Sequence, residues 1–385
     1  MATTIVSGVQ YSGIWNISSQ ANAKALGTWP SQPVPRLFTW GQNGDGQLGL
    51  SNTTNYSSPK QVGALDNWSK TFSGTQTVFA INSINQLLAF GANYAGALGD
   101  GTVAGKSSPV QIGALTNWSF VANQNYGTAA IKTDGTLWTW GFNNNGQLGQ
   151  GNTTNRSSPV QVGSLTNWLR VSTGYQFCAS ITTSKQLYVW GNGFSGQSGL
   201  GNTTSYSSPK QVGSLSNWEY VSAGRGFCVS IKTDGTLWSW GKNDDGQLGL
   251  GNITYYSSPK QIGALTNWLN ISSGYAFTLA VKTDGTLWSW GANSNGQLGL
   301  GDTSKRSSPV QIGVLTNWSY LSAGGESSAA IKTDGTAWSW GNNGSGRLGL
   351  GNTTSRSSPT QIGALVSWST ISTGTNSVSA IALVS

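Results

Sequence analysis

Residues 290–301 read WGANSNGQLGLG, and this stretch recurs with small changes every 50 residues through most of the chain. Each copy opens on an aromatic residue followed by glycine, at Trp40, Phe90, Trp140, Trp190, Trp240, Trp290 and Trp340. Two more markers keep the same register: a Ser-Ser-Pro triplet starting at Ser57, Ser107, Ser157, Ser207, Ser257, Ser307 and Ser357, and a tryptophan at Trp68, Trp118, Trp168, Trp218, Trp268, Trp318 and Trp368. A period of this length, rich in short apolar alternation and glycine turns, is typical of a propeller or a solenoid.

The copy spanning residues 217–265 predicts four short strands. Residues 218–222 form the first strand, and residues 227–232 form the second, in which Phe227, Val229 and Ile231 share one face. Asp234-Gly235 predicts a tight hairpin, because this pair tolerates the positive φ angles of such a turn. The third strand covers 237–240, with Trp238 and Trp240 on one face, and the fourth covers 260–262 after a long glycine-rich loop.

Seven such units predict an all-β protein, a seven-bladed β-propeller of 50-residue, four-stranded blades. One blade cannot bury both of its faces alone, so neighbouring blades must stack to form the core. The last copy stops after its second strand, and the first copy starts at Leu37 with its third strand. The N- and C-terminal strands should therefore pair in one shared blade and close the ring. This assigns residues 37–385 to the propeller and residues 1–36 to a separate segment.

The repeat of Trp290 to Gly301 resembles that of the regulator-of-chromosome-condensation family, and the resemblance covers residues 37–385. It implies the propeller fold. The histidine that often precedes the second strand in that family is missing from every copy here, since the chain has no histidine. Functions in that family range from nucleotide exchange on a small GTPase to light sensing, enzyme inhibition and scaffolding, so the fold alone assigns no function.

The composition argues against several classes of function. Only 8% of residues are charged, and 20 Lys and Arg stand against 12 Asp and Glu, with no His. The basic residues are spread over all repeats rather than clustered, so we do not expect nucleic-acid binding despite a pI near 9.5. Without histidine, the usual general base is absent, and the carboxylates share no motif. We therefore expect no enzyme, no cofactor and no metal site.

The two cysteines occupy one repeat position. Cys178 and Cys228 stand where other copies have Val78, Thr128, Thr278, Ser328 and Val378. A position that accepts Val, Thr, Ser and Cys fits a small buried side chain, so we interpret both cysteines as core residues rather than a redox pair. The sequence also shows no signal peptide and no transmembrane stretch.

Residues 1–36 lie outside the repeat and end in a proline-rich bridge of Pro30, Pro33 and Pro35. The segment resembles an N-terminal segment shared by structural proteins of marine tailed phages. That resemblance implies an attachment role, for which the aromatic residues Tyr11, Trp15 and Trp29 are the candidate contacts. The alternative is a tail that merely covers one end of the ring.

The copies differ mainly in two sets of connections that a four-stranded blade places on one side of the disc: the turn between strands one and two, and the loop between strands three and four. The opposite side, with its Asp-Gly hairpins, is nearly uniform. The residues before Ser-Ser-Pro are all Tyr, Lys or Arg: Tyr56, Lys106, Arg156, Tyr206, Tyr256, Arg306 and Arg356. The loops and inner turns add Tyr94, Phe194, Tyr126, Tyr175, Arg225 and Tyr275. Variable Tyr- and Arg-rich loops on a rigid scaffold indicate a recognition face. The alternative is that the exposed loops vary because nothing constrains their sequence, and that the long side chains pack on the rim.

The sequence favours two functions. The first is a non-enzymatic virion structural protein of a tailed phage, at the tail or capsid surface, whose partners are other virion proteins or a host-surface glycan and whose copy number the assembly sets. The second is a protein-interaction propeller, a scaffold or inhibitor that binds one protein partner on the Tyr/Arg face. The first places the chain on the virion surface, and the second in the cytoplasm or in extracellular fluid.

Overall fold

The computed structural model describes residues 33–384, which contain 28 strands and one short 3-10 turn at Tyr94–Gly96. The strands follow one another with nearly constant lengths. In chain order they are β1 (Val34–Gly41), β2 (Tyr56–Gln61), β3 (Trp68–Ser73), β4 (Thr77–Asn82), β5 (Leu87–Gly91), β6 (Lys106–Gln111), β7 (Trp118–Gln124), β8 (Gly127–Lys132), β9 (Leu137–Gly141), β10 (Arg156–Gln161), β11 (Trp168–Gly174), β12 (Phe177–Thr182), β13 (Leu187–Gly191), β14 (Tyr206–Gln211), β15 (Trp218–Ala223), β16 (Phe227–Lys232), β17 (Leu237–Gly241), β18 (Tyr256–Gln261), β19 (Trp268–Ser273), β20 (Phe277–Lys282), β21 (Leu287–Gly291), β22 (Arg306–Gln311), β23 (Trp318–Ala323), β24 (Ser327–Lys332), β25 (Ala337–Gly341), β26 (Arg356–Gln361), β27 (Trp368–Thr373) and β28 (Ser377–Val384).

These strands form seven antiparallel four-stranded sheets, which confirms the predicted seven-bladed propeller. Blades 1 to 6 are consecutive, from β3–β6 to β23–β26, and blade 7 has the strand order β2-β1-β28-β27. The chain ends therefore close the ring as predicted, with β1 and β28 paired from Val34↔Val384 to Gly41↔Ser377. The pairing starts at Val34, so the last three residues of the segment 1–36 belong to the sheet. No helix among residues 33–384 is long and apolar enough to cross a membrane.

Two local predictions are corrected. The fourth strand of the copy quoted above starts at Tyr256 rather than residue 260, because the ladder resumes at Gly241↔Tyr256 after an irregularity. The Tyr/Lys/Arg residue before each Ser-Ser-Pro is thus the first residue of the outermost strand, not a loop residue. The Asp-Gly hairpin needs only one positive φ: Gly235 has φ +76°, and Asp234 is outside the left-handed region.

The tryptophan of each Trp-Gly pair joins two blades. The indole Nε1 of Trp240 donates to the carbonyl of Gln197 in the preceding blade at 3.0 Å, and a glycine of that same loop, Gly199, lies against the ring. A Cβ on Gly199 would stand only 2.8 Å from Nε1 of Trp240, so this glycine makes the close approach possible. The same bond forms in every other blade whose pair carries Trp, at 2.9–3.0 Å, and Phe90 alone lacks the donor.

Each long loop also reaches the outermost strand of the next blade. The N–H of Gly251 donates to the carbonyl of Ser307, the first serine of a Ser-Ser-Pro triplet, at 2.8 Å. The corresponding bond in the last pair, from Gly351 to Ser57, joins blade 6 to blade 7 across the chain ends. Glycine and a small serine are needed because a Cβ on Gly246 would lie 2.6 Å from the Cα of Ser307. Two of the three markers, the Trp-Gly pair and the Ser-Ser-Pro triplet, are therefore blade-to-blade contacts.

The first strand of each blade is the innermost and lines a central channel of about 270 Å³. At the loop-side end of these strands stands a ring of glycines, interrupted once by Gln124: Gly74, Gly174, Gly224, Gly274, Gly324 and Gly374. A Cβ on Gly224 would meet the carbonyl oxygen of Gly274 at 2.7 Å. Neighbouring backbones thus converge, and they are tied by bonds such as Thr375 N–H to Gly74 O at 3.1 Å.

Both cysteines are in the core, as predicted. Cys178 and Cys228 are buried, and the Cys178 thiol donates to the carbonyl of Gln147 at 3.3 Å. Thr278 uses its hydroxyl in the same way, donating to the carbonyl of Gln247 at 3.2 Å. Burial raises the pKa of both thiols, so they stay protonated.

Four hairpins on the opposite side each contain the same arrangement of hydrogen bonds. In the hairpin of blade 4, Asp234 Oδ1 accepts hydrogen bonds from the hydroxyl and N–H of Thr236, and Trp238 Nε1 donates to the same hydroxyl oxygen at 2.9 Å. The Lys232 Nζ lies 3.7 Å from the centroid of Trp238, and burial lowers its pKa. The Thr236 hydrogen bonds lower the pKa of Asp234.

Substitution of Gly224 by Ala should destabilise the ring. The added methyl would overlap the Phe227 ring and the Gly274 carbonyl, and overpacking of this kind costs ~1–3 kcal/mol. Gly44→Ala is the matched control, because its Cβ would meet nothing closer than 4.0 Å. Thermal unfolding followed by circular dichroism should give a lower midpoint for Gly224→Ala only. Equal midpoints for the two variants would contradict the close approach.

The hairpin aspartates should make stability sensitive to acid. Their pKa values are lowered in the folded protein, so their stabilising contribution is present above the ordinary aspartate pKa and is lost as the pH falls through the folded value: Asp134, Asp234, Asp284 and Asp334. Replacing all four by Asn, which keeps an acceptor oxygen, should flatten the decline of the unfolding midpoint below pH ~4. The measurement is urea unfolding at a series of acidic pH values. An unchanged slope would show that other groups cause the acid sensitivity.

Candidate functional site

The two variable sets of connections lie on one face, as the sequence predicts, and we call it the loop face. The turn between strands one and two touches the loop between strands three and four. Asn342 Nδ2 donates to Glu326 Oε2 at 2.9 Å, and Asn145 Nδ2 donates to Gln176 Oε1 at 3.1 Å. The side chains of both sets can therefore form a common surface around the channel.

The centre of the loop face is an arginine held between two tyrosines. The guanidinium carbon of Arg225 lies 4.9 Å from the ring centroid of Tyr175 and 5.7 Å from that of Tyr275. The Tyr275 hydroxyl is 2.8 Å from Oγ1 of Thr375, two blades further round the ring. Arg225 is exposed, and no carboxylate among residues 33–384 forms an ion pair with it. Stacking thus fixes the cation and leaves its hydrogen-bonding edge unpaired.

A second arginine, which the sequence analysis missed, lies beside this group. Arg347 occupies the repeat position where five other copies have glutamine and one has alanine. It is buried, and its Nη1 donates to the carbonyl of Thr375 at 3.0 Å. Burial lowers its pKa, while the nearby charges of Glu326 and Tyr275 oppose that shift. The sequence signal that could have revealed Arg347 is its replacement of the glutamine found in five other copies. We call Tyr126, Tyr175, Arg225, Tyr275 and Arg347 the mouth cluster.

Tyr126 extends the mouth cluster toward blade 1. Its hydroxyl donates to Gln76 Oε1 at 2.6 Å, and its ring centroid lies 5.0 Å from that of Tyr94. Tyr94 is 61% exposed and lies 6.2 Å from Phe142. Tyr126 has φ +63°, a conformation that costs a non-glycine residue ~1–2 kcal/mol. The corresponding turn residues Gln176 and Gly226 also have positive φ, +64° and +89°, so this conformation belongs to the turn of the repeat.

A cleft of about 560 Å³ adjoins Tyr94 and Tyr126. Asp45 and Val103 also line it, which gives the cleft one acidic and one apolar wall. Burial raises the pKa of Tyr126, with a smaller contribution from Asp45, so its phenol stays protonated and can donate. Phe194 is 72% exposed on the loop face, and no aromatic ring of the described chain stacks on it.

The seven residues before Ser-Ser-Pro do not join the mouth cluster. They begin the outermost strands and are spread around the rim, half-buried, at Tyr56, Lys106, Arg156, Tyr206, Tyr256, Arg306 and Arg356. Most contact their own blade: Arg306 pairs with Asp302 at 2.6 Å, and Lys106 with Asp100 at 3.5 Å. Asn202 donates to the Tyr206 hydroxyl at 3.2 Å. These are the contacts that the rim-packing alternative predicts.

The predicted attachment residues Tyr11, Trp15 and Trp29 lie outside the described residues. The mouth cluster is therefore the candidate site that residues 33–384 provide. It can offer the exposed guanidinium of Arg225 and tyrosine rings to one ligand, with the buried Arg347 behind them.

Comparison with known proteins identifies the family. The model of the RCC1-like domain matches residues 36–380, so the chain belongs to the RCC1-like domain family. A search of curated protein sequences gave no significant match.

Several solved structures share the fold. Human WBSCR16 superposes with a TM-score of 0.81 at 18% identity, covering 91% of this chain and 99% of that one. Prp20p from Saccharomyces cerevisiae, described with its binding to Gsp1p and histones, gives 0.80 at 21% identity, covering 97% and 96%. Yeast RCC1 (Prp20) bound to Kap60 gives 0.82 at 19% identity, covering 99% and 96%. These likenesses show the seven-bladed ring.

Proposed function

We propose that this chain is a non-enzymatic protein-interaction propeller that binds one protein partner at the mouth cluster. The observation that carries the proposal is Arg225, which is stacked between Tyr175 and Tyr275 and has no carboxylate partner among the described residues. Arg and Tyr are, with Trp, enriched among the residues that contribute most of the binding energy at protein interfaces. An arginine that is already ordered loses little conformational entropy on binding.

The surroundings of Arg225 favour a partner that presents a carboxylate. A guanidinium edge forms two parallel hydrogen bonds to a carboxylate, and no carboxylate among residues 33–384 forms an ion pair with Arg225. The exposed ring of Tyr94 and the adjoining cleft would accept an apolar side chain of the same partner. Prp20p, which has the same fold, is described as binding the proteins Gsp1p and histones, a precedent for partner binding by such a ring.

The alternative, a virion structural protein that binds a host glycan, stays a prediction. It depends on residues 1–36, of which only residues 33–36 are described. Tyrosine rings also stack on sugars, so the mouth cluster would serve that function as well. The two hypotheses differ in the partner: a protein with an acidic anchor, or a carbohydrate.

Binding by point variants tests the proposal. The full chain is immobilised, proteins are captured from the source cells, and the leading partner is purified so that its dissociation constant can be measured by calorimetry. Arg225→Gln and Tyr275→Ala should each weaken binding at least ~10-fold, or about 1.4 kcal/mol. Arg306→Gln is the matched control, since Arg306 lies on the rim and already pairs with Asp302; it should leave the affinity within a factor of ~2.

Three results would contradict the proposal. One is a partner whose affinity falls with Arg306→Gln and not with Arg225→Gln. Another is a partner insensitive to both variants. The third is binding to a glycan array without capture of any protein, which would favour the carbohydrate hypothesis.

A further inference from the structure

A carboxylate on the loop face lines the cleft of about 560 Å³ without a cationic partner. Asp45 belongs to the loop between β1 and β2 of blade 7, and the opposite side of the cleft is formed by the corresponding loop of blade 1. Asp45 is exposed, and no Lys or Arg among residues 33–384 forms an ion pair with it. Its charge acts in the cleft, because after burial it is the next cause that raises the pKa of Tyr126. The cleft therefore offers an unpaired negative charge to a ligand.

Another copy of the repeat shows which partner a carboxylate at this position takes. Asp245 is the counterpart of Asp45 in blade 4, and the other five copies have no acidic residue there. The Nζ of Lys305, in the next blade, lies 3.7 Å from Oδ1 of Asp245. The residue that corresponds to Lys305 beside Asp45 is Gly105. Blade 5 thus supplies an ammonium group to Asp245, whereas blade 1 leaves the equivalent place beside Asp45 open.

The frame of the propeller does not require a glycine at position 105. Gly105 lines the cleft, and its φ is outside the left-handed region. The other copies carry Asn, Ser, Tyr or Lys at this position. A Cβ on Gly105 would have the carbonyl oxygen of Gly91 at 3.1 Å and the Cα of Ala92 at 3.8 Å as its nearest neighbours. The missing side chain therefore opens the cleft without serving the backbone.

The remaining walls of the cleft fit an alkyl chain. Tyr94 and Val103 both line it and are both exposed. The Tyr126 ring supports that of Tyr94, and its hydroxyl is held by Gln76. A lysine side chain combines a four-carbon apolar stem with a terminal ammonium, and it covers apolar surface with its stem while its charge bonds elsewhere. The face of a tyrosine ring also attracts such a cation.

We propose that the cleft binds a lysine side chain of the protein partner, with the ammonium on Asp45 and the stem on Tyr94 and Val103. This inference rests on the proposed function, since the partner held at Arg225 supplies the lysine, and the apolar group that the cleft accepts is the stem of that side chain. The ammonium donates charge-assisted hydrogen bonds to the carboxylate. A partner with an acidic group for Arg225 and a lysine for Asp45 is seated in one orientation, because complementary charges at two fixed points set the register of an interface.

Titration of the full chain with three small probes tests the cleft without the partner. n-Butylammonium reproduces the end of a lysine side chain, n-butanol keeps the stem without the charge, and tetramethylammonium keeps the charge without N–H donors. Binding is followed by saturation-transfer NMR of the probe signals. n-Butylammonium should bind at millimolar concentration, and n-butanol and tetramethylammonium should each bind at least ~5-fold more weakly.

Variants assign the binding to the cleft. Asp45→Asn removes the charge and should weaken n-butylammonium at least ~5-fold. Gly105→Lys should abolish binding, because it supplies the ammonium from within the chain, as Lys305 does for Asp245. Asp245→Asn is the matched control, since that carboxylate is already paired, and it should leave the affinity within a factor of ~2. If Gly105→Lys does not fold, Asp45→Asn decides, because the exposed Asp45 carboxylate forms no ion pair in the described chain.

Any of three results would overturn the lysine assignment. The first is n-butylammonium binding no more tightly than n-butanol, and the second is tetramethylammonium binding more tightly than n-butylammonium. The third is n-butylammonium binding that Asp45→Asn leaves unchanged. Failure of the proposed function is distinguishable, because it is a partner whose affinity does not respond to Arg225→Gln. A purified partner that loses affinity with Arg225→Gln but not with Asp45→Asn would support the mouth cluster and contradict the lysine in the cleft.

Discussion

The contact on which the ring depends joins the tryptophan of one blade to the loop of the preceding blade. An indole N–H donates to a carbonyl of that loop, and a glycine of the same loop lies on the ring, as with Trp240, Gln197 and Gly199. The contact demands glycine at one point and, in six of the seven blades, tryptophan at the other; Phe90 takes that place in the remaining blade, where Gly49 lies against its ring. The sequence therefore repeats with a strict period. The ladder between β1 and β28 then removes the open edge that an unclosed ring would leave.

This frame leaves few positions that can vary, and the copies differ mainly in the connections of the loop face. On the loop face, the glycine ring brings neighbouring strands together, so side chains that follow it meet above the axis. Arg225 stacks on Tyr175 and Tyr275 because each comes from a neighbouring blade. The innermost strands of the blades surround the channel, so side chains of different blades such as Phe120, Tyr220 and Tyr320 line one cavity. The proposed recognition site is thus a consequence of ring geometry, since residues 50 positions apart in the chain become neighbours.

The repeat allowed most of the fold to be predicted from the sequence. The strand pattern, the stacking of Phe227, Val229 and Ile231, the core position of the cysteines and the closure of the ring follow from periodicity alone. The start of the fourth strand was wrong because ladder pairing resumes after an irregularity at Gly241↔Tyr256, which no local pattern reveals. The candidate site was harder to predict from the sequence than the fold. Tyr256 lies on the rim and Tyr275 at the mouth because they differ in distance from the channel axis. The periodicity of the sequence does not give that distance.

The hairpin side illustrates the same limit. Its turns are uniform, so the sequence analysis treated the whole side as uniform. The third residue of each innermost strand varies between blades, and only the three-dimensional arrangement shows that the Arg170 guanidinium stacks on the Tyr220 ring of the next blade. Arg347 was missed for a related reason, because one substitution in a motif gains meaning only when its neighbours Thr375 and Tyr275 are known.

Photo-crosslinking in the source cells tests most directly the claim that recognition lies at the mouth and not on the rim. A benzophenone amino acid would replace Tyr275 in one full-length protein and Tyr206 in another, and illumination would be followed by mass spectrometry. We predict one dominant protein adduct from position 275, and we expect that adduct to be absent from the protein labelled at position 206. A shared adduct from position 206, with none from position 275, would place the interface on the rim and contradict it.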